Sequence, residues 1–391
     1  MKILVAQDSI DTDGGVETYL LSTIAELRAR GHQVALLYYG HSTDRTPVRG
    51  AAEFALGIEE RGLADVLSEL RAWAPDVCFS HNMAPLEVDR ILTGEWRVVK
   101  MLHGFFGTCV SGLKMHAFPG AEVCHRTFGA ACLAMYVPRR CGQLSPLAIV
   151  RGYRWATDQQ ALFPRYAALV VASNYMRDEL LRHGVNAKRV NAFPLFSTIP
   201  IDAGAAGHGA DTVLFGGRMT TLKGGHLLIA AAARASRAIG RPVRVLMAGE
   251  GPQKEHWRQL ASSLDVPAEF TGWIRDEDRA RVYRRATIVA VPSLWPEPFG
   301  LIGLDAGALG KPAVAFDVGG IHEWLTDGAN GLLIAPAAGE QGLADAIARL
   351  LNAPEERDRM ACESLRTATR LSVAAHVDRL ERLLQDHAAD A

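Results

Sequence analysis

The chain has 391 residues, too many for one hydrophobic core, and at about 150 residues per domain it should fold as two or three domains. Hydrophobic residues make up 49% and charged residues 22%, which excludes a disordered polymer. With 42 Lys and Arg against 43 Asp and Glu, the net charge of −1 gives no electrostatic basis for binding nucleic acid.

Taken in chain order, short apolar runs alternate with longer amphipathic stretches, the βαβ pattern of parallel sheets. Ile3–Ala6 reads as a strand and Val16–Arg30 as a helix closed by Gly31 in the left-handed conformation. Val34–Tyr38 is the next strand, followed by a polar loop containing Pro47 and Gly50. Leu63–Trp73 reads as helix, and Val77–Ser80 and Val98–Leu102 as strands. Leu169–Ala172, then Ser173-Asn174 and a helix to His183, repeat the unit. Pro194, Pro200 and the run Ala203-Gly204-Ala205-Ala206-Gly207-His208-Gly209 break the pattern, which places a linker at about 194–210. Alternation then restarts with strand Thr212–Phe215, helix Gly224–Ile239, strand Val243–Met247, helix Pro252–Leu264, strand Ile288–Val291, helix Gly300–Leu309 and strand Ala313–Phe316. Helices at Leu343–Leu351 and Ala374–His387 finish the chain. The expected fold is α/β: two doubly wound, Rossmann-like domains over 1–200 and 210–370, facing across a cleft, with a closing helix over 371–391.

No apolar run approaches the roughly 20 residues that span a bilayer. Met1–Ala6 meets polar Gln7-Asp8 too soon for a signal-peptide core. Six cysteines in so long a chain are not a disulfide scaffold, so a cytoplasmic enzyme is expected.

Three loops carry candidate chemistry. In Asp11-Thr12-Asp13-Gly14-Gly15-Val16-Glu17, the glycines Gly14 and Gly15 let backbone amides approach a phosphate at the positive end of the following helix. The GxGxxG dinucleotide fingerprint is absent. A plain tight turn is the structural alternative, and Asp11 with Asp13 could hold Mg²⁺ or simply cap the helix.

Gly216-Gly217-Arg218-Met219-Thr220-Thr221-Leu222-Lys223-Gly224-Gly225 follows a strand and opens a helix. Cations at a helix N-terminus oppose its dipole, so Arg218 and Lys223 point to a bound anion. Converging on one diphosphate, they would stabilise charge developing on a leaving group. The order is wrong for a Walker loop, where Lys follows the last glycine.

In Pro296-Glu297-Pro298-Phe299-Gly300-Leu301-Ile302-Gly303-Leu304-Asp305, Glu297 sits in a proline-bracketed loop. Asp305 lies about two turns along the next helix, on the side of its beginning. Two acids at the carboxyl edge of a sheet could accept hydrogen bonds from sugar or ribose hydroxyls. Alternatively, Glu297 caps the helix and Asp305 is a satisfied polar residue.

Taken together and in this order, the three blocks, with Gly-Lys-Pro-Ala-Val-Ala following the third, resemble retaining GT-B glycosyltransferases of family 4. The likeness spans nearly the whole chain and is strongest over about 212–335. It implies a nucleotide-diphosphate sugar as donor, with UDP or GDP as the nucleotide, bound mainly by the second domain. It implies an acceptor bound mainly by the first domain and no metal requirement; glycan, lipid-linked and small-molecule acceptors stay open. Arg218 and Lys223 match the family's diphosphate clamp, and Glu297 matches the first acid of its Glu-x7-Glu motif, on the transferred sugar. Asp305, one methylene shorter, stands where the family usually has a second Glu, expected on the ribose. Gly14 and Gly15 match the phosphate-side loop, joined by Gly217 and by Phe299-Gly300. Ala248-Gly249-Glu250-Gly251-Pro252 resembles the nucleotide-side turn, and Thr271-Gly272-Trp273-Ile274 the segment near the base. His103, in Met101-Leu102-His103-Gly104, resembles the active-site histidine that approaches the donor sugar, and His81 a strand-end histidine on the acceptor side.

Retaining glycosidases place two carboxylates about 5 Å apart, one as nucleophile. No carboxylate here presents itself in that role, so leaving-group stabilisation should supply most of the catalysis. The resemblance implies a front-face mechanism in which the departing phosphate takes the acceptor's proton. The rival readings are a GT-B phosphorylase or sugar-phosphate synthase, a catalytically silent sugar-nucleotide-binding scaffold, and a metal enzyme using Asp11 and Asp13.

The alternation lapses over a cysteine-rich insert at about 104–165. Cys109, Cys124, Cys132 and Cys141, with His116 or His125 as alternates, could bind structural zinc, although no CxxC knuckle is present. Buried free thiols are the alternative. Arg126, Arg139, Arg140, Arg151 and Arg154 interleave with Phe128, Tyr136, Tyr153 and Trp155. That mixture fits peripheral contact with an anionic membrane, a lipid-diphosphate acceptor, or a solvated arginine face.

Overall fold

A computed structural model describes residues 1–10, 14–40, 47–206 and 211–388. The chain divides into two compact units. The first comprises Met1–Pro119, Cys124–Pro194 and the C-terminal helix Val373–Ala388; the second comprises Gly120–Val123 and Leu195–Ser372.

The first unit is built on a parallel sheet of seven strands: β1 (Lys2–Gln7), β2 (Gln33–Tyr38), β3 (Phe54–Gly57), β4 (Val77–Ser80), β5 (Val98–Leu102), β6 (Ala168–Val171) and β7 (Val190–Ala192). Their order is β3-β2-β1-β4-β5-β6-β7. Val5 of β1 faces Leu36 of β2 and Phe79 of β4. β4, β5 and β6 are buried at every position, so their sequences read as unbroken apolar runs rather than alternating ones. Helix Gly15–Ala29 ends at Gly31, whose φ of +85° an L side chain rarely adopts. Helix Asn174–Arg182 begins where Ser173 Oγ accepts the Met176 amide at 3.3 Å. The C-terminal helix returns to this unit: Arg30 bridges Asp378 at 2.6 Å and Glu381 at 2.8 Å, and His32 meets Glu381 at 2.8 Å.

The second unit holds six parallel strands: β8 (Thr212–Gly216), β9 (Arg244–Ala248), β10 (Ala268–Gly272), β11 (Ile288–Val291), β12 (Ala313–Phe316) and β13 (Gly331–Ile334), in the order β10-β9-β8-β11-β12-β13. Leu214 of β8 faces Leu246 of β9 and Val289 of β11. Helix Gly225–Ile239 buries Ala231, Ala232 and Ala235 and packs against helix Gly339–Asn352. In both sheets the order reverses beside the first strand, between β1 and β4 and between β8 and β11. Loops leaving the carboxyl ends of two such strands diverge, which opens a crevice for a ligand.

The sequence reading needs correction at 47–51, where a short helix, Pro47–Ala51, replaces the expected loop. Proline at the first position of a helix surrenders no hydrogen bond. The insert also contains a 17-residue helix, Pro146–Leu162.

Candidate functional site

The second unit gathers the loops that follow β8, β9, β10, β11 and β12. Gly217 N donates to Ala248 O at 2.9 Å, Met219 N to Glu250 O at 2.7 Å, and Gly249 N to Gly272 O at 2.9 Å. These bonds seat three adjacent loops backbone to backbone. Gly249 and Gly251, with φ of +137° and +154°, make that approach feasible. A Cβ on Gly249 would collide with the Gly217 carbonyl, and one on Gly251 would lie 2.5 Å from the Met219 carbonyl. The loop after β11 is stitched to the same assembly, since Leu294 N donates to Leu222 O at 2.8 Å.

Arg218 and Lys223 therefore rise beside β8, while Glu297 rises beside β11, on the two sides of the reversal. Lys223 Nζ sits 2.6 Å from Glu297 Oε1 and 4.8 Å from the Trp295 ring centroid. Glu297 is only 5% exposed, so its carboxylate is held by an ammonium that is itself partly open to solvent. Its backbone is fixed by the loop after β12, where Gly320 N donates to Glu297 O at 2.7 Å. Gly319, at φ +56°, lies too near the Glu297 backbone to carry a Cβ. Arg218 is exposed and makes no ion pair among the described residues. Such an arrangement offers one free guanidinium, one half-committed ammonium and a set of loop amides to an anion.

Phe299 is buried, its carbonyl accepting from Trp324 Nε1 at 2.7 Å, and Gly300 (φ +82°) caps helix Leu301–Gly307. Asp305 is placed on that helix as expected from sequence, yet it is 2% exposed and both oxygens are engaged. Ser197 Oγ donates to Oδ1 at 2.6 Å, and Arg279 Nη1 lies 3.2 Å from Oδ2. Burial raises the Asp305 pKa, opposed first by Arg279 and then by the Ser197 hydrogen bond. Instead of an open carboxylate edge, Asp305 anchors the segment that enters the second unit. Trp273, at the end of β10, is 53% exposed and presents a free ring face; Ile274 follows it, half-buried. Ser197, Arg279, Trp295 and Gly319-Gly320 escaped the sequence reading. Only the last carried a signal, another Gly-Gly after a strand.

In the first unit, Gly14 and Gly15 follow β1, as read from the sequence. Gly14 caps helix Gly15–Ala29 with no side-chain cap; among the described residues a Cβ on Gly15 would meet nothing within 4 Å, while one on Gly14 would lie 2.8 Å from Glu17 Oε2. Asp11 and Asp13, the alternative Mg²⁺ ligands, lie outside the described residues. His81, after β4, and His103, after β5, are brought together: His81 Nδ1 is 3.0 Å from His103 Nε2, with the rings stacked at 25°. Tyr19 packs on both, 5.7 Å from each centroid. Its hydroxyl is 2.8 Å from Nε2 of His376, whose Nδ1 is 2.9 Å from Pro194 O. A carbonyl can only accept, so the His376 proton sits on Nδ1 and Tyr19 donates to Nε2. Below His81, Lys100 donates to its carbonyl and pairs with Asp89 at 2.5 Å; Tyr166 also donates to Asp89, at 2.8 Å. Lys100 and Asp89 are 2% and 0% exposed, a buried pair that fixes the β4 and β5 ends on which the two histidines stand.

Burial is the main cause holding these imidazoles neutral. It lowers His103 to about 3, with Lys100 and His376 adding to it, and His376 to about 4, and it takes His81 well below 6.5. The unfolded chain then binds more protons than the native one between those values and pH 6.5. Stability is fully present above about pH 6.5 and is lost as pH falls towards 4, at roughly 1.4 kcal/mol per pH unit for each histidine. The urea midpoint is expected to be lower near pH 5 than near pH 7, and His376→Gln should flatten that slope.

The zinc expectation is corrected. All six cysteines are free, and among the described residues no three His, Cys, Asp or Glu side chains are arranged to hold a metal ion. Three of the four sulfurs in the insert turn to local partners: Cys109 Sγ to the Lys114 amide at 3.4 Å, Cys132 Sγ to Thr127 O at 3.9 Å, and Cys141 Sγ to His116 Nδ1 at 3.4 Å. Burial raises the Cys124 thiol and pushes Cys141 up to about 11, which keeps them protonated.

Two parallel α/β units, each with loops converging at the strand-order reversal, define the GT-B class of glycosyltransferase. The comparison of whole structures agrees: Anabaena HepE, solved with UDP and glucose, superposes over 99% of this chain and 100% of its own with a TM-score of 0.73 at 18% identity. Residues 13–195 match the model of Glycosyltransferase Family 4, and residues 202–364 that of Glycosyl transferases group 1. The chain belongs to the group 1, family 4 glycosyltransferases. It is 27% identical to D-inositol 3-phosphate glycosyltransferase of Nocardia farcinica over 98% of this chain and 87% of that one. It is 30% identical to alpha-D-kanosaminyltransferase of Streptomyces kanamyceticus, over 53% of this chain and 56% of that one.

Proposed function

We propose that the chain is a retaining glycosyltransferase that moves a hexose-type unit from UDP- or GDP-sugar to a glycan, lipid-linked or small-molecule acceptor. The observation that carries this reading is the placement of Arg218 and the Lys223–Glu297 pair on either side of the reversal between β8 and β11. A diphosphate there meets two fixed cations, and negative charge that develops as the sugar departs is stabilised without reorganisation. Glu297 has no second carboxylate paired with it among the described residues, so a double-displacement nucleophile pair is not what the site offers. The departing phosphate takes the acceptor's proton. Glu297 orients Lys223 and contacts the transferred sugar, Trp273 and Ile274 flank the base, and Gly14, Gly15, Gly217, Gly249 and Gly251 supply amides. By the family resemblance His103 acts on the transferred sugar, the first unit presents the acceptor and the second holds the donor. The glucose and UDP bound by the Anabaena protein support the donor class, and the inositol phosphate in the Nocardia relative's name supports a small-molecule acceptor. Six unpaired thiols support a cytoplasmic setting.

Screening UDP-, GDP- and ADP-sugars against an acceptor panel should give nucleoside diphosphate release with one of the first two, undiminished in EDTA. NMR of the product should show the donor's anomeric configuration kept. Inversion would remove the retaining mechanism. Donor binding without turnover across the panel would make the chain a scaffold, and release into phosphate alone would make it a phosphorylase or synthase.

A further inference from the structure

Of the ten large hydrophobic side chains exposed among the described residues, seven lie between Phe106 and Val150; the other three, Ile201, Leu264 and Trp273, are far apart in sequence. Helix Pro146–Leu162 shows how the first unit produces this. Its inner side buries Ile149, Ala156, Gln159 and Leu162. On the other side, Leu147, Val150, Arg151 and Arg154 follow at spacings of three and four, so they share one exposed face. Leu147 is 57% and Val150 46% exposed, where a solvated helix face would carry polar residues. Exposed Leu144 continues the apolar strip towards the helix start, and Leu133 and Val137 flank it on the neighbouring helix Ala131–Tyr136 and its end.

The charge around this strip is one-sided. From Gly104 to Thr157 the sequence holds Arg126, Arg139, Arg140, Arg151 and Arg154 against a single acid, Glu122, in a chain whose overall charge is −1. The one lysine of the stretch, Lys114, is used internally by Glu179 at 2.5 Å. Asp158 is the acid on the helix face, at its far end.

We propose that this face of the first unit docks on an anionic lipid bilayer, with Leu147 and Val150 entering the boundary between headgroups and acyl chains and the arginines meeting lipid phosphates. Charge selects this occupant. A second copy of the chain would set identical patches face to face across a two-fold axis, arginine against arginine. The contact is interfacial, since no helix among the described residues is long and apolar enough to cross a membrane.

Co-sedimentation of the whole protein with phosphatidylcholine vesicles, with and without phosphatidylglycerol, tests the proposal. Binding is expected only to the anionic vesicles and should weaken at high salt. The pairs Leu147→Glu/Val150→Glu and Arg151→Glu/Arg154→Glu should each lower the partition coefficient by about tenfold or more. Because all four side chains are exposed, the unfolding midpoint should not move, which separates lost docking from lost folding. Equal binding to neutral and anionic vesicles, binding to neither, or a dimer that these substitutions dissolve would overturn it. The assay reads partition and not sugar transfer, so its outcome stands apart from the proposed reaction.

Discussion

Arg218→Ala and Lys223→Ala should each lower turnover by on the order of 10²–10³-fold, the usual cost of removing one preorganised donor to a developing charge. The two variants should differ in everything else. Arg218 is exposed and has no ion pair among the described residues, so its loss should leave the unfolding midpoint within about 0.5 kcal/mol of the parent. Lys223 is the cation beside Glu297, which is 5% exposed, and removing it strands a buried carboxylate. That should cost a further 1–3 kcal/mol or so of stability. Lys223→Ala combined with Glu297→Gln should recover much of the stability and none of the turnover. Turnover and midpoint measured side by side thus separate a cation that serves the reaction from one that serves the fold. Near-parent turnover in both single variants would remove the clamp.

Much of the fold was legible because parallel strands buried on both faces write themselves as apolar runs. Val77–Ser80, Val98–Leu102, Ile288–Val291 and Ala313–Phe316 were read from sequence with the observed bounds. The strands missed are those whose burial is incomplete or whose first residue is glycine. β10 carries Glu269 and Thr271 at a sheet edge, β3 ends on Gly57, and β13 begins on Gly331, which stands too close to the Ala313 backbone to bear a Cβ. In the site, glycines and cations signal themselves because few structural reasons put them before a helix. Partners contributed from far along the chain do not: nothing near Asp305 announces Ser197 or Arg279, and nothing near Tyr19 announces His376, 357 positions away. Those pairings exist only once the topology has closed.

Substituting His81 should show whether the histidine pair is a device or a packing accident. His81 Nε2 is buried without a hydrogen-bond partner among the described residues, and an orphaned donor is rarer in folded proteins than an orphaned acceptor. The lone pair therefore belongs on Nε2 and the proton on Nδ1, which donates to His103 Nε2 across 3.0 Å. A neutral His103 then carries its own proton on Nδ1, so it offers a hydrogen-bond donor on its free edge and no base. Long-range ¹⁵N correlation spectra of the parent should show His103 as the Nδ1–H tautomer. His81→Asn keeps an N–H close to the Nδ1 position and should retain that tautomer and turnover within about tenfold of the parent. His81→Leu and His81→Asp remove the donor, one leaving nothing and the other an acceptor; each should release the tautomer and lower turnover by about 10- to 100-fold, the scale seen when a partner that orients a functional histidine is lost. If His81 only filled space, leucine would serve better than asparagine. An Nε2–H tautomer in the parent would end the assignment, because His103 would then donate inward and show its lone pair to the substrate.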